Sequence, residues 1–245
     1  MKFNRTTITR FLSLNRSPWL AVFVLTTVAA APLLADGLNY LPPGQPDAIA
    51  LLAPPPQPGS PEQAADLDEV INVRDHCTPR EAAIAYSEED FFVFNFAPEI
   101  GPFFQANRLP KTAVFFHRVQ KDMKTVEHTA KNFWKRPRPY QMDPALANGK
   151  PGKSFGYPSG HSMRATVFSL LLSQIFPDRR AAIMAEGRTI AWRRVEIARH
   201  YPTDIYAGQV LGQAIVRQLE ASSKFQRDFA AVKAEIAAAQ KASRN

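Results

Sequence analysis

Residues 110–130 read PKTAVFFHRVQKDMKTVEHTA. Pro110 opens the segment at the one helical position where a missing backbone N–H costs little. Val119, Met123, Val126 and Ala130 then recur at steps of four, three and four, which lines them up on one face of a helix. The same grammar extends in both directions. Upstream, Thr78-Pro79 pairs a capping hydroxyl with a first-turn proline. Downstream, a run from about His161 carries Val167, Leu170 and Leu171 and is stopped by Pro177. A further segment covers about Arg179 to Ala198, and another starts near Pro202 with Ile205, Gly208, Leu211, Gly212 and Ile215. The last has Phe225, Phe229, Val232 and Ile236, again at threes and fours. No stretch sustains a two-residue alternation with turn chemistry, so the expected fold is all-α, one helical domain over residues 62–245.

Residues 36–61 differ in kind. Pro42, Pro43, Pro46, Pro54, Pro55, Pro56, Pro58 and Pro61 resist helix, so this is expected to be an extended arm or linker. Its apolar 48–53 stretch offers a docking point, either on the domain or on a second copy of the chain. Before it, Lys2, Arg5, Arg10 and Arg16 precede an apolar run from Pro18 to Ala35, with no acid before Asp36. A basic head, an apolar stretch and small residues at Ala29, Ala30, Ala31 and Ala35 resemble a secretory signal over residues 1–35, which implies a periplasmic or secreted protein. An uncleaved anchor is the alternative, since the run nears the ~18 apolar residues of a spanning helix; Thr26, Thr27 and Pro32 speak against it.

The 245 residues are 45% hydrophobic and 21% charged, enough for one substantial core and too apolar for disorder. The net charge of +8 points to an anionic partner, yet removal of residues 1–35 takes it to +4, so much of the basicity belongs to the leader. No nucleic-acid signature appears, and the cations are spread along the chain rather than striped. Cys77 is the sole cysteine, which excludes an intrachain disulfide and any cysteine-based metal site. After residue 36 no segment reaches ~18 uninterrupted apolar residues, so no membrane span is expected there.

Three clusters carry chemistry. In Pro158-Ser159-Gly160-His161, turn residues lead into a helix whose first amides lack internal partners and attract anions. Ser159 adds a hydroxyl, Gly160 allows close approach, and His161 can exchange a proton near neutral pH. In the run Arg194 to Asp204, His200 and Asp204 are four apart, so a carboxylate can hold one ring nitrogen and leave the other as a lone-pair nucleophile. In the run Lys131 to Pro139, Lys131 falls on the last turn of its helix and Arg138 just beyond, since Pro137 and Pro139 end the helix. Arginine grips phosphate with a two-pronged fork and lysine acts as a point charge. Taken singly, each cluster reads at least as well as a helix cap or a basic helix end.

Together, their order and spacing resemble the signature of the phosphatidic acid phosphatase type 2 superfamily, which includes class A bacterial acid phosphatases, lipid phosphatases and vanadium haloperoxidases. Six residues separate Lys131 from Arg138, five separate Arg194 from His200, and three separate His200 from Asp204. The segment from Tyr40-Leu-Pro-Pro to Leu51-Leu-Ala-Pro-Pro-Pro is similar to the start of mature class A acid phosphatases. The resemblance implies a compact helical bundle and an acid phosphatase acting on small phosphate monoesters, with phosphotransfer as a possible side activity. His200 would attack phosphorus, Asp204 orient it, and His161 serve as acid and then base. Lys131, Arg138 and Arg194, with Ser159 and the Gly160 amide, would hold the phosphoryl oxygens. Three fixed cations leave no need for a metal or other cofactor, and vanadate would bind as a phosphate mimic. The family also implies a homodimer or higher homo-oligomer. A lipid phosphatase or a vanadate-dependent haloperoxidase is the alternative on the same signature.

This chain departs from the pattern at two places. Arg193 stands where the family usually has serine, and Arg199 stands before His200 where an uncharged residue is common. Arg136-Pro137 is a competing Arg-Pro, but only Arg138 has the family spacing from Lys131. His117 and His128 match nothing in the signature and read as structural; Gly208 and Gly212 read as close helix packing, and Trp134 and Tyr140 as core or rim.

Overall fold

The computed structural model describes residues 38–147, 152 and 154–243. The signal-like segment at residues 1–35 lies outside them. In chain order the helices are α1 (Ala48–Leu51), α2 (Pro61–His76), α3 (Pro79–Ser87), α4 (Ala97–Ile100), α5 (Pro110–Trp134), α6 (Pro139–Met142), α7 (Gly160–Ile175), α8 (Arg180–Glu196), α9 (Pro202–Ala221) and α10 (Ser223–Ala242). Short 3-10 turns lie at Val93–Phe96, Pro144–Leu146 and Pro177–Arg179. No strand occurs among the described residues, so the fold is all-α.

Prolines set where four of the helices begin. Pro61, Pro79, Pro110 and Pro202 all stand in first turns. Thr78 caps α3 in a full capping box: its hydroxyl accepts the Glu81 N–H, and the Glu81 carboxylate accepts the Thr78 N–H at 2.8 Å. α5 buries Phe115, Phe116, Val119, Met123, Val126 and Ala130, the face expected from the spacing.

α7 is the central element, packed between α8 and α9. It is buried on nearly every side, and small residues let its neighbours come close. A methyl group at Gly208 of α9 would stand 2.6 Å from the Ser159 carbonyl oxygen, and one at Gly212 would stand 2.9 Å from that of Met163. Gly187 of α8 plays the same part against Ser169. A phenylalanine-rich core joins α5, α7 and α10 through Phe115, Phe116, Phe168, Phe225 and Phe229. A second, smaller cluster of Val70, Leu146, Ala191, Val195, Tyr201 and Ile205 backs the α8–α9 elbow.

The proline-rich stretch is built into the domain. Buried Asp122 on α5 accepts the backbone N–H groups of Asn39, Tyr40 and Leu41 at 2.8, 2.7 and 3.1 Å. Tyr40, Leu41, Ala48 and Leu52 join the main core. Of the two docking points open to the 48–53 stretch, it takes the domain itself. Among the described residues, no helix is long and apolar enough to cross a membrane.

Candidate active site

The three clusters meet at one cavity of about 280 Å³. Lys131, Arg138, Gly160, His161, Arg194 and His200 line it, together with Glu89, Lys124, Glu127, His128, Gly152, Ser154, Arg164 and Arg199. Several of them sit at or just beside a helix end. Lys131 is in the last turn of α5, Arg138 precedes α6, His161 is in the first turn of α7, and Arg194 is in the last turn of α8. After α8 the chain turns through Ala198 in the left-handed region (φ +51°). The N–H groups of Arg199 and His200 both donate to the Arg194 carbonyl, at 2.8 and 3.2 Å, and this tight turn sets the two side chains beside the cavity.

His200 is 2% exposed. Its Nδ1 lies 3.2 Å from Asp204 Oδ2 and its Nε2 lies 3.2 Å from Arg138 Nη1. A carboxylate and a guanidinium allow one arrangement: Nδ1–H donates to Asp204, and the Nε2 lone pair accepts from Arg138. Burial, then Arg138, Lys131 and Arg194, push the His200 pKa well below its ordinary value, so the ring is neutral. Asp204 is fully buried behind it. Burial raises the Asp204 pKa, and Arg136 is the chief opposing influence.

Arg136 explains how an acid survives there. Its Nη1 donates to Asp204 Oδ1 at 2.7 Å and to Thr203 Oγ1 at 2.6 Å, and its Nη2 donates to Asp66 Oδ2 at 2.6 Å and Gln63 Oε1 at 2.8 Å. The guanidinium also lies 4.0 Å from the centre of the Tyr201 ring. The two arginines of the Arg-Pro-Arg-Pro run therefore face opposite ways, Arg138 to the cavity and Arg136 to the carboxylate behind His200.

His161 faces the cavity from α7. Its Nε2 is 3.1 Å from the carbonyl oxygens of both Glu88 and Glu89. Carbonyls only accept, so Nε2 carries a hydrogen and Nδ1 is the atom that titrates. Burial, then Arg164, Arg194 and His200, push its pKa well below the ordinary value. The cations are held by backbone oxygens. Lys131 Nζ donates to Phe155 O at 2.9 Å, and Arg138 donates to Ser154 O and Arg199 O, each at 2.8 Å. Arg194 donates to Ala85 O, and burial pushes its pKa down to about 10.

Ser159 and Asp204 are the two predicted residues off the cavity wall. Ser159 is fully buried, and its hydroxyl caps α7 by accepting the Ser162 N–H at 3.3 Å. This is the helix-cap reading that the sequence left open for this cluster. Glu127 was not foreseen: its carboxylate lies 3.1 Å from Lys131 Nζ and rests on Gly160, where a methyl group would come within 2.1 Å of it. Standing four residues before Lys131, it had a signal in the helical period. His117 is structural as expected, stacked 4.2 Å from Phe92, but His128 lines the cavity. Arg193 turns to Glu88 and to Glu186, the latter at 3.0 Å, and does not line the cavity. Among the described residues no group of three or more His, Cys, Asp or Glu side chains could hold a metal ion.

Comparison with known proteins gives a family and several relatives. The PAP2 superfamily model matches residues 123–224. An acid phosphatase of Zymomonas mobilis is 28% identical over 199 residues, covering 78% of this chain and 75% of that protein. A non-specific acid phosphatase of Salmonella typhi is 28% identical over 196 residues, 74% of this chain and 78% of that protein. A lipid A 1-phosphatase of Rhizobium etli is 36% identical over 56 residues, 23% of this chain and 24% of that protein. Residues 123–224, which carry Lys131, Arg138, His161, Arg194, His200 and Asp204, thus form a domain of the PAP2 superfamily, and the chain's relatives are bacterial acid phosphatases.

Proposed function

We propose that the chain hydrolyses small phosphate monoesters through a phosphohistidine at His200, without a metal. The observation that carries this is the His200 ring itself, anchored through Nδ1 on Asp204 with Nε2 at the cations of the cavity. In the first step the Nε2 lone pair attacks phosphorus, the bond from phosphorus to the ester oxygen breaks, and His161, entering protonated, gives its proton to that oxygen. In the second step water attacks the phosphohistidine, His161 takes a proton from it, and the nitrogen–phosphorus bond breaks to release phosphate. Lys131, Arg138 and Arg194 neutralise charge on the phosphoryl oxygens, the task a metal ion performs elsewhere. Because the His161 pKa is depressed, the protonated acid is populated on the acid side of neutrality, while Asp204 keeps His200 in the nucleophilic tautomer. The same pocket would take vanadate as a phosphate mimic.

The test is hydrolysis of para-nitrophenyl phosphate in excess EDTA at about pH 5 to 6. Wild type is expected to turn over in the chelator, and His200→Ala is expected to lose at least about a thousandfold in kcat. Full activity in His200→Ala would remove His200 as nucleophile, and loss of wild-type activity in EDTA would remove the metal-free mechanism. A phosphorylated lipid is the second reading of the same site, favoured by the 56-residue match to a lipid A phosphatase; wild type would then prefer micellar lipid phosphate to the soluble ester. Export rests on the basic and apolar leader, and N-terminal sequencing of the mature protein tests it.

A further inference from the structure

Arg199 has no role in the chemistry just described, and its setting is unusual. It lines the cavity and is only 7% exposed. Lys131 pairs with Glu127, Arg136 with Asp66 and Asp204, and Arg193 with Glu88 and Glu186. Among the described residues the Arg199 guanidinium has no carboxylate within 4.0 Å and no hydrogen-bond acceptor. Its guanidinium lies 5.5 Å from the centre of the Tyr140 ring, and the Tyr140 hydroxyl is itself fixed by the Gly152 N–H at 2.8 Å. Its charged neighbours make matters worse, since Arg138 and Arg194 are both close enough to feel its charge. A buried cation is costly unless an anion meets it.

The phosphoryl group under attack does not call for this arginine, because Lys131, Arg138 and Arg194 already match its charge. We propose that Arg199 is a specificity residue, holding a second anionic group of the substrate, a phosphate or a carboxylate, while the three other cations hold the reacting phosphoryl group. An arginine suits that task because its flat fork binds either anion through two parallel hydrogen bonds. The proposal deepens the phosphatase reading and rests on it for the placement of the first phosphoryl group.

Binding of non-hydrolysable phosphonates to the full chain tests it by calorimetry at one pH. Methylphosphonate carries one anionic group, methylenediphosphonate adds a second phosphoryl group, and phosphonoacetate adds a carboxylate. Wild type is expected to bind at least one of the two longer probes about tenfold more tightly than methylphosphonate, the size of one added charged hydrogen-bond pair; which one it prefers identifies the second anion. Arg199→Gln is expected to bring that ratio close to one. Arg199→Lys, which keeps the charge and loses the fork, is expected to keep a fraction of it, and stands in if the glutamine variant does not fold. A wild-type ratio of one, or an undiminished ratio in either variant, overturns the proposal. Turnover plays no part in this readout, so a chain inert towards phosphate esters that still shows the preference would sink the phosphatase reading and leave Arg199 in its role.

Discussion

Arg136 shows how one residue can govern a site it does not line. Its guanidinium joins Gln63, Asp66, Thr203 and Asp204, and both of its acid partners are almost fully buried. Removing one partner from such a group leaves uncompensated charge in a dry interior, which costs about 3–5 kcal/mol. Arg136→Ala is therefore expected to lower stability by about that amount, measured by urea unfolding. It is also expected to cut activity in the fraction that remains folded, because Asp204 loses the cation that opposes its upward pKa shift. A stability loss under about 1 kcal/mol would show that the network is not cooperative. This residue also marks the limit of what the sequence can show. Lys131, Arg138, His161, Arg194, His200 and Asp204 were legible because their mutual spacing matches a known order. The partners of Arg136 lie about seventy positions away on either side, and linear spacing carries no information about which distant charges will meet. The same limit hid the contact of Arg193 with Glu88.

Among the elements, α7 carries His161 and α9 carries Asp204, and the separation of these two helices is set by two glycines. The long helices could be read from first-turn prolines and apolar periods because both are local properties of the backbone. The short α4 and α6 could not, since four residues hold too little period to register. Nor could the docking of the proline-rich stretch be settled, because it depends on Asp122, some eighty residues downstream. The Gly208–Gly212 pair was visible as a spacing of four, and the structure shows what it does. At Gly208 the obstructing atom is the backbone carbonyl of Ser159, which cannot swing aside as a long side chain would. Gly208→Ala should therefore push α9 away from the start of α7, at a cost of about 1–3 kcal/mol for overpacking. In a domain of this size each kcal/mol corresponds to a fall of about 2–4 °C in Tm. The displacement moves Asp204 relative to His161, so kcat is expected to fall more than the loss of folded protein explains. An alanine variant with wild-type Tm and kcat would show that the helices can slide without consequence.

Across the whole molecule, the cost of burying two neutral histidines, and of doing so among this much positive charge, should appear as a pH dependence of stability. His161 and His200 both have folded pKa values well below the ordinary 6.5. Between the folded value and 6.5 the unfolded chain binds protons that the folded chain refuses, so stability rises with pH across that window. The contribution is fully present above about 6.5 and is lost as pH falls towards the folded values. Asp204 works in the opposite sense, but only from its ordinary 3.8 upward to its raised folded value, where the folded chain binds the extra proton. Tm is therefore expected to drop between pH 7 and pH 5, with a smaller drop in a His161→Gln, His200→Gln double variant that has nothing to titrate at these positions. An anion in the cavity reverses the cause. Sulfate, a dianion throughout this range, offsets the surrounding cations and brings both histidine pKa values back towards 6.5, so it should raise Tm more at pH 5 than at pH 7. Sodium chloride at equal ionic strength controls for screening. The same Tm slope in wild type and in the double variant would place the pH sensitivity elsewhere in the fold. A sulfate effect of equal size at both pH values would separate the histidines from the anion site.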